Sequence, residues 1–410
     1  MLYLALLWSP TVPVIRGFGG PSLTRRRAAV VGAGHTRFGV LPEGPRSLLR
    51  SCIDQAFASV DKGLERSRVD EAFLGSLGFS GWQIGNASAV LAEEAQIVGA
   101  PVTHVENACA SAGFALRQGA RAIESGDADA VLVVGLEKMT DPTNARRRYW
   151  LGVSGDTEWE RLAGLTFAGV YALVAARHMI EHGTTREALA EVAVKNHANG
   201  VRNPNAQFRK AITREQVLSA PRVAHPLGLY DCCPVSDGAA ALLLVGEEIA
   251  RQFTDTPVFI AGTGAGSDYL ALQERASLTS FAATKWAAEE AFRRAGIDRK
   301  AVNFLEVHDC FTIAELLALE DLGFAAPGEA GPLTLSGATR LGGALPVNPD
   351  GGLKAKGHPI GATGASQAYE AFQQLRGAAG DRQVAGAETA LCHNVGGSGA
   401  SATVTLFSVR

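Results

Sequence analysis

Cys109 is the residue with the clearest potential for covalent chemistry, in the segment 105–113 (VENACASAG). An apolar strand is expected to end before it, and a helix of very small residues to begin after it. A helix N-terminus favours a thiolate through its dipole and free N–H groups, and the same amides can stabilise an oxyanion on an attacked carbonyl. A lone cysteine is more often a small buried hydrophobe, so this segment alone leaves both interpretations open.

The second candidate is His358, in the glycine-rich segment 351–364 (GGLKAKGHPIGATG). Pro359 restricts the backbone after it, and a helix is expected to begin near Thr363. This arrangement would hold the imidazole rigidly and let a substrate approach the backbone closely. An isolated histidine in a turn is usually structural, but the density of glycines makes that interpretation weaker here.

Two further segments place polar groups at the ends of apolar strands. In residues 306–312 (EVHDCFT), His308 and Cys310 are two positions apart and are expected on the same side of a strand. One could position a carbonyl while the other moves a proton. Residues 391–399 (LCHNVGGSG) predict a turn, whose need for positive φ explains the glycines but not His393 and Asn394.

Two other patterns resemble known sites and are set aside. Gly32 and Gly34 follow an apolar strand as in a dinucleotide-binding loop, but Arg37 occupies the third glycine position. His178 and His182 have the spacing of a zinc-peptidase motif, yet no third ligand is evident. The polar last turn of a helix explains them better, and we expect neither a nicotinamide cofactor nor a metal.

The elements that must position these residues alternate along the chain after residue 28, which indicates a layered α/β fold. The first apolar strand is expected to run into a glycine turn at residue 32. The uninterrupted apolar run 130–135 is typical of a strand that is covered on both faces. Helices are expected over 47–60 and 113–125, and strands over 71–77, 130–135 and 239–245.

A chain of 410 residues is too long for one ordinary core, and its second half repeats the order of elements of the first. In each half an amphipathic helix leads through a polar turn into a strand, near residues 54–74 and 289–305. We expect a first half over 28–255 and a second half over 256–410, preceded by a disordered extension over 1–27. Residues 141–229 are expected to form an insertion lying over the first half.

The composition argues against several classes of protein. The net charge of -3 disfavours a broad surface for nucleic acid or an anionic membrane, and no apolar run reaches transmembrane length. Six cysteines without a CxxC pair indicate neither a disulfide framework nor a cysteine-based zinc site, and a reducing cytoplasm is the default location. The arginine run 146–148 could help to bind an anionic ligand.

Taken together, these segments resemble the thiolase family over nearly the whole chain after residue 28. Residues 107–111 (NACAS) resemble its nucleophile motif, 357–359 (GHP) its histidine motif, and 236–240 (SDGAA) a segment that closes its first half. Two motifs depart from many thiolases. Residues 308–311 (HDCF) replace an Asn-Glu-Ala-Phe motif, and 394–396 (NVG) replace a Cys-x-Gly motif. Both departures are similar to the sterol-carrier-protein-2 type of thiolase.

The resemblance implies a thiolase fold, with two similar halves in five αβαβα layers, and a homodimer or homotetramer. It also implies an acetyl-CoA C-acyltransferase. Cys109, activated by His358, would take an acyl group from one acyl-CoA, and Cys310 would remove an α-proton from a second. The resulting enolate would attack the thioester on Cys109. In reverse, the same groups would cleave a 3-oxoacyl-CoA.

The resemblance further assigns the groups that bind developing charge. His308 and His358 would bind the oxygen of the enolate, while the amides of Cys109 and Gly396 would bind that of the tetrahedral intermediate. CoA is the substrate and carrier in this scheme, and no metal or redox cofactor is implied.

Asn394 and His393 are possible supporting residues, and Cys392 is expected to be a bystander. Two alternatives stay open. One is a C-acyltransferase with a non-CoA acceptor, for which Cys310 would be less necessary because an acidic acceptor forms its own carbanion. The other is a non-thiolytic retro-aldol homologue in complex with a small partner protein, although such relatives generally lose the nucleophile that this chain keeps as Cys109. A role in lipid and fatty acid metabolism would accompany the thiolase assignment.

Overall fold

The structure is a computed structural model, and it describes residues 26–141, 143 and 149–410. The strands are β1 (Ala28–His35), β2 (Glu71–Gly75), β3 (Val102–Val105), β4 (Ala130–Glu137), β5 (Arg222–Ala224), β6 (Leu227–Gly228), β7 (Gly238–Gly246), β8 (Val258–Ser267), β9 (Phe304–Glu306), β10 (Thr389–Gly396) and β11 (Ser401–Ser408).

The α-helices, named in chain order, are α1 (Pro45–Ala58), α2 (Ala87–Ala95), α3 (Ser111–Ser125), α4 (Phe167–His182), α5 (Arg186–Gly200), α6 (Arg214–Ser219), α7 (Glu247–Ala250), α8 (Ala282–Ala295), α9 (Thr312–Asp321), α10 (Ala330–Leu335), α11 (Gly352–Ala355) and α12 (Thr363–Leu375). Residues 149–152 are also helical, and Thr157–Arg161 form a turn of π-helix.

The two halves of the chain form sheets of the same design. In the first half the strand order is β2-β4-β7-β1, with β2 parallel to β4 and the other two pairings antiparallel. In the second half the order β9-β10-β11-β8 repeats these directions. A short pairing of β1 with β8 joins the halves into one nine-stranded sheet, with β3 and β9 at its edges. The predicted duplication is therefore confirmed.

Helices cover both faces of each half of the sheet, so that helices and sheet alternate in five layers. The helix α1 packs outside the first-half sheet against β1 and β7, and α8 packs outside the second against β8 and β11. Between the sheets, α3 contacts β2 and β4 of one half and β11 of the other, while α12 contacts β7 and β10. The order αβαβα agrees with the predicted fold. It also places the N-termini of α3 and α12, and the candidate residues before them, between the two halves.

The glycines of β1 lie within the strand, so the predicted glycine turn is wrong. The strand continues through Gly34 to His35, and α1 packs so closely on it that a Cβ atom at Gly34 would overlap the carbonyl oxygen of Cys52. The second half repeats this contact, because a Cβ atom at Gly264 in β8 would overlap the carbonyl oxygen of Ala287 in α8. The glycines that resemble a nucleotide-binding loop are thus needed for the close packing of α1 on β1.

The insertion 141–229 packs mainly on the second half, which corrects the predicted position over the first half. Val170 of α4 and Leu189 of α5 belong to one apolar cluster with Ile313 and Leu316 of α9. The physical reason is burial: α9 is buried along its whole length, and α4 and α5 supply the apolar surface that covers it.

At the start of the described chain, Arg26 pairs with Asp129 at 2.6 Å and Arg27 with Glu247 at 2.7 Å. The rest of the predicted extension, residues 1–25, lies outside the described residues, as does the arginine run 146–148. Among the helices that the structure describes, none is long and apolar enough to cross a membrane.

Candidate active site

Cys109 lies on a tight turn between β3 and α3. Ala108 adopts a left-handed conformation with φ of 49°, which costs about 1–2 kcal/mol for a residue with a side chain. Ser111 holds this turn, because its hydroxyl donates to the Ala108 carbonyl at 2.6 Å and accepts from the Asn107 N–H at 3.0 Å. Ser111 was not predicted as a site residue, although its place in the NACAS motif was a usable signal.

Burial dominates the electrostatics of the nucleophile candidate. It raises the pKa of Cys109 to about 12, and the carboxyl group of Glu137 adds to the increase. The N–H groups of Gly397 and of Cys109 itself bind the sulfur and act in the opposite direction. The expected preference for a thiolate at the helix N-terminus is therefore outweighed by desolvation, and Cys109 rests as a thiol.

His358 is held in one tautomer just before α12. The Thr363 hydroxyl donates to the Pro359 carbonyl at 3.1 Å, so its oxygen accepts from Nδ1–H of His358 at 2.8 Å. Nε2 of His358 is then free to accept a proton. Burial, with the charge of Lys356, lowers the pKa of His358 to about 3, so the ring rests neutral.

His308 is held in the opposite tautomer by Asn394. The Asn394 amide orientation is fixed, because Oδ1 accepts from the Gly113 N–H at 3.3 Å and Nδ2 donates to the Cys109 carbonyl at 2.9 Å. Nδ2 also donates to Nδ1 of His308 at 3.1 Å, so the ring hydrogen is on Nε2. That Nε2–H is buried and has no hydrogen-bond partner among the described residues. Burial lowers the pKa of His308 well below its usual value.

The sulfur of Cys109 and ring nitrogens of His308 and His358 lie within 4.8 Å of one another. The two rings are 5.0 Å apart and nearly perpendicular, at 82°. Three such groups could hold a soft metal ion, and among the described residues this is the one group with that geometry. However, Nε2 of His308 carries hydrogen and is a donor. The cluster therefore offers a proton acceptor on His358 and a hydrogen-bond donor on His308 beside one thiol.

The zinc-peptidase spacing on α4 has a structural explanation. The ring nitrogens of His178 bind Thr184 at 2.7 Å and Glu320 at 3.0 Å, and the residue is completely buried. His178 thus ties α4 to α9 through hydrogen bonds.

Cys310 lies beside this cluster in the loop that follows β9. That strand ends at Glu306, so the alternation predicted for His308 and Cys310 within a strand does not apply. Cys310 is buried, and its carbonyl accepts from the Cys233 N–H at 3.0 Å. Burial raises the pKa of its thiol well above the usual range.

Asp309, between the two candidates, connects their loop to the histidine motif. Its carboxylate accepts from the N–H of Leu353 at 2.7 Å and of Lys354 at 3.3 Å, at the start of α11. The Asn196 amide also donates to it, and burial raises its pKa to about 7. His358 follows the last residue of α11 by only three positions in the chain. Asp309 therefore holds the loop of His308 and Cys310 against the histidine motif. No role was predicted for Asp309 from the sequence.

The end of β10 is adjacent to the nucleophile turn. A Cβ atom at Gly396 would lie 2.5 Å from the Asn107 carbonyl oxygen, and the next residue, Gly397, supplies the N–H that contacts Cys109. His393 points to the opposite face of β10 from Asn394, and its Nε2 binds the Thr284 hydroxyl of α8 at 2.9 Å. The structure therefore does not place the His393 ring in the cluster of Cys109, His308 and His358.

Cys392 is buried among apolar residues of the central layer. Its surroundings raise the pKa of its thiol well above the usual range, mainly through burial.

Comparisons with known proteins agree with this geometry. Residues 28–248 match the family model for the thiolase N-terminal domain, and residues 264–409 match the model for the thiolase C-terminal domain-like family. An acetyl-CoA acetyltransferase of Methanothermobacter thermautotrophicus is 46% identical over 390 residues, which cover 93% of this chain and 100% of that relative. Sterol carrier protein 2 of Gallus gallus is 35% identical, covering 95% of this chain and 73% of the relative.

Among solved structures, the Ltp2-ChsH2(DUF35) aldolase is similar, with a TM-score of 0.82 and 27% identity over 94% of this chain and 98% of that chain. The family models together span nearly all of the described residues, and the relatives are similar along most of their length. The chain therefore belongs to the thiolase family of acyltransferases.

Proposed function

We propose that the chain is an acetyl-CoA C-acyltransferase of the sterol-carrier-protein-2 type, which forms or cleaves 3-oxoacyl-CoA through a thioester on Cys109. The observation that carries the proposal is the convergence of the Cys109 sulfur with His358 and His308 within 4.8 Å. The name of the 46% identical relative supports acetyl-CoA as the acyl-CoA.

In the first half-reaction, Nε2 of His358 accepts the proton of the Cys109 thiol as its sulfur attacks the thioester carbonyl. A C–S bond forms to Cys109 and the C–S bond to CoA breaks. The departing CoA thiolate takes the proton of Cys310. The site then holds acyl-Cys109, a Cys310 thiolate and a protonated His358, whose opposite charges stabilise each other.

In the second half-reaction, the Cys310 thiolate removes an α-proton from acetyl-CoA, and Nε2–H of His308 donates to the enolate oxygen. The enolate carbon attacks acyl-Cys109, which forms the C–C bond. The Cys109 sulfur leaves and takes the proton of His358, so every group returns to its starting state. Thiolysis follows the same steps in reverse.

Backbone amides complete the proposed oxyanion sites. The N–H groups of Cys109 and of the glycine pair Gly396 and Gly397 are the donors for the tetrahedral intermediate. Those of Cys109 and Gly397 lower the pKa of the Cys109 thiol, which supports their place beside the sulfur. His308 and His358 serve the enolate oxygen. An oxyanion donor of this kind is worth about 10²–10³ in rate.

The proposal extends to partners and location. CoA thioesters are the substrates, and the scheme needs neither metal nor redox cofactor because each proton has a protein donor and acceptor. The family resemblance and the exposed edge of β3 support a homodimer or homotetramer, which light scattering can test. The free thiols of all six cysteines support a reducing cytoplasm, and a role in fatty acid and other lipid metabolism fits CoA thioester chemistry.

The deciding experiment separates the half-reactions in Cys310→Ala and Cys392→Ala. We expect Cys310→Ala to form the acetyl thioester on Cys109, detected by mass spectrometry, because protonated His358 can supply the departing CoA with a proton in place of Cys310. The variant should fail at acetoacetyl-CoA thiolysis and at condensation. Cys392→Ala should retain both steps, because Cys392 is buried away from the cluster. An essential Cys392 with a dispensable Cys310 would contradict the assignment.

Two other outcomes identify the alternatives. If neither variant affects product formation while Cys109 stays essential, the acceptor supplies its own carbanion, and a non-CoA acceptor is the substrate. The structural similarity to an aldolase favours testing a second candidate, retro-aldol cleavage of a 3-hydroxyacyl-CoA. Cleavage that persists in Cys109→Ala would establish it, since that reaction needs no thioester on the enzyme.

A further inference from the structure

Arg275 is a buried arginine whose hydrogen bonds all go to neutral oxygens. The residue is 9% exposed, and its four hydrogen bonds reach backbone carbonyls and one hydroxyl. Tyr269 and Leu270 supply two of these carbonyls, at 2.8 and 3.0 Å. Arg382, which is buried to a similar degree, instead pairs with the Glu370 carboxylate at 2.9 Å. Because taking a charge out of water without an ion pair is costly, this arginine requires an explanation.

The other two hydrogen bonds hold the glycine turn 396–399 at the end of β10. Nη1 of Arg275 donates to the Ser398 carbonyl at 2.6 Å, and Nη2 donates to the Ser398 hydroxyl at 3.0 Å. The preceding carbonyl, that of Gly397, accepts from the Tyr171 hydroxyl of α4 at 3.1 Å. The turn is thus fixed by two side chains that donate to consecutive carbonyl groups.

The peptide units of this turn connect the guanidinium to the oxyanion donors. The peptide that joins Ser398 to Gly399 is bound at its oxygen by the guanidinium, and its N–H donates to the Gly396 carbonyl at 3.1 Å. The peptide that accepts this bond joins Gly396 to Gly397. It is trans, so its N–H points away from its oxygen. Each hydrogen bond polarises the next peptide, and the chain therefore makes the Gly397 N–H a stronger donor.

The turn packs directly against the segment that carries Cys109. A Cβ atom at Gly396 would lie 2.5 Å from the Asn107 carbonyl oxygen and 3.5 Å from Cβ of Ala110. Gly397 is buried, and no oxygen of the described residues accepts from its N–H. A buried N–H needs a partner, and in the proposed mechanism the oxyanion of the tetrahedral intermediate supplies it.

We propose that Arg275 is a positioning residue for acyl transfer to Cys109, which holds the glycine turn and extends its positive charge through two peptide units toward the oxyanion. This inference rests on the proposed role of Gly396 and Gly397 as oxyanion donors. A carboxylate partner would cancel the charge of Arg275, which explains why carbonyl oxygens surround it instead. A guanidinium stays charged in proteins, so its effect persists throughout the reaction.

The test compares Arg275→Gln, which removes the charge but can still donate to the Ser398 carbonyl, with Arg275→Lys, which keeps the charge but loses the planar fork. We expect acetylation of Cys109 to slow by about 10-fold in Arg275→Gln and to stay within about three-fold of wild type in Arg275→Lys. Removal of a whole oxyanion donor costs more, about 10²–10³ in rate. Rapid-quench mass spectrometry measures the rates, and circular dichroism verifies the fold.

A spectroscopic measurement separates the effect of charge from that of packing. A weaker donor polarises the thioester carbonyl of acetyl-Cys109 less, so its infrared stretching frequency should be higher in Arg275→Gln than in wild type. In Arg275→Lys it should match the wild type. An unchanged frequency in Arg275→Gln, or equal rate losses in both variants, would overturn the inference. If Arg275→Gln does not fold, Arg275→Lys decides, because a raised frequency in that variant contradicts a role for the charge.

Arg299→Gln is the matched control. This arginine also donates to a backbone carbonyl, that of Leu322 at 2.7 Å, at the opposite end of α9 from Cys310. The variant should leave the acetylation rate and the carbonyl frequency unchanged. Failure of the proposed function would appear as the absence of an acetyl group on Cys109 in the wild-type protein. Failure of this inference would instead leave wild-type acetylation intact and insensitive to the charge of Arg275.

Discussion

Nδ2 of Asn394 donates to Nδ1 of His308 at 3.1 Å, and this contact determines the role of the opposite ring nitrogen. The same amide binds the Cys109 carbonyl and the Gly113 N–H, so it cannot turn over without losing two hydrogen bonds. His308 therefore directs an N–H into the site. Where many thiolases carry a cysteine of the Cys-x-Gly motif, this chain has a residue that orients a histidine instead of moving a proton.

Replacement of Asn394 by Asp should reverse the tautomer of His308. A carboxylate only accepts, so it would draw the ring hydrogen to Nδ1 and leave Nε2 without one. Thiolysis of acetoacetyl-CoA should then fall by about 10²–10³, as for the loss of one oxyanion donor. Steady-state kinetics measures this loss. Asn303→Asp is the control, because Asn303 uses its side-chain oxygen to accept from backbone N–H groups, and its activity should stay within two-fold of wild type.

The same variant should gain affinity for zinc. With Nε2 of His308 unprotonated, the thiol of Cys109 and both imidazoles become ligands that lie within 4.8 Å of one another. We expect zinc to bind Asn394→Asp at least about ten-fold more tightly than wild type, since one ligand no longer has to change tautomer. Isothermal titration calorimetry measures the affinity, and equal zinc affinities would show that Asn394 does not control the tautomer.

The motifs that meet in the candidate site were predictable from the sequence, and so were the duplicated halves. Cys109 and His358 each precede a helix that begins with small residues, and this local pattern requires no knowledge of distant contacts. The tautomer of His308 was not predictable. It depends on Asn394, which is 86 residues from His308 in the chain and reaches it only because β10 pairs beside β9.

The insertion was the least predictable part. The helices α4 and α5 are apolar or small on several faces, so periodicity does not reveal which half of the molecule they cover. Tyr171 had no motif around it and gained its contacts from Phe311 and Gly397, both distant in sequence. The glycines of β1 gave a misleading signal, because close helix–sheet packing and nucleotide loops both select glycine.

Thr363 should fix the tautomer that makes Nε2 of His358 a proton acceptor, as Asn394 fixes the tautomer that makes Nε2 of His308 a hydrogen-bond donor. Thr363→Val keeps the shape of the side chain but removes the oxygen that accepts from Nδ1–H of His358. The ring then loses its preferred tautomer, and acetylation of Cys109 should slow by about 10-fold or more, because a buried N–H is left without a partner. Rapid-quench mass spectrometry measures acetylation. Thr363→Ser restores the oxygen and should recover most of the rate; failure of the serine variant would indicate that packing, not the hydrogen bond, is essential.

Buried neutral histidines should make folding sensitive to acid, and His393 offers a site where this can be measured apart from catalysis. Burial lowers its pKa from 6.5 to about 3. Between these values the unfolded chain binds one more proton than the folded chain, so His393 stabilises the fold above pH 6.5 and this contribution is lost as the pH falls. Glu137 and Asp309, whose pKa values are raised to about 7, act in the opposite direction. In the wild-type protein the free energy of unfolding would therefore change less steeply with pH than His393 by itself would require.

A variant isolates the contribution of this one histidine. His393→Gln cannot bind the extra proton, so the free energy of unfolding should fall less steeply with decreasing pH than in wild type. The difference in slope between pH 5.5 and 4.5 should be about 1 kcal/mol per pH unit, close to the value for one proton. Urea unfolding at pH 7.5, 5.5 and 4.5 measures it, and at pH 7.5 the two proteins should differ only by a constant offset from the lost contact with Thr284. Parallel pH dependences would mean that His393 becomes protonated in the folded state.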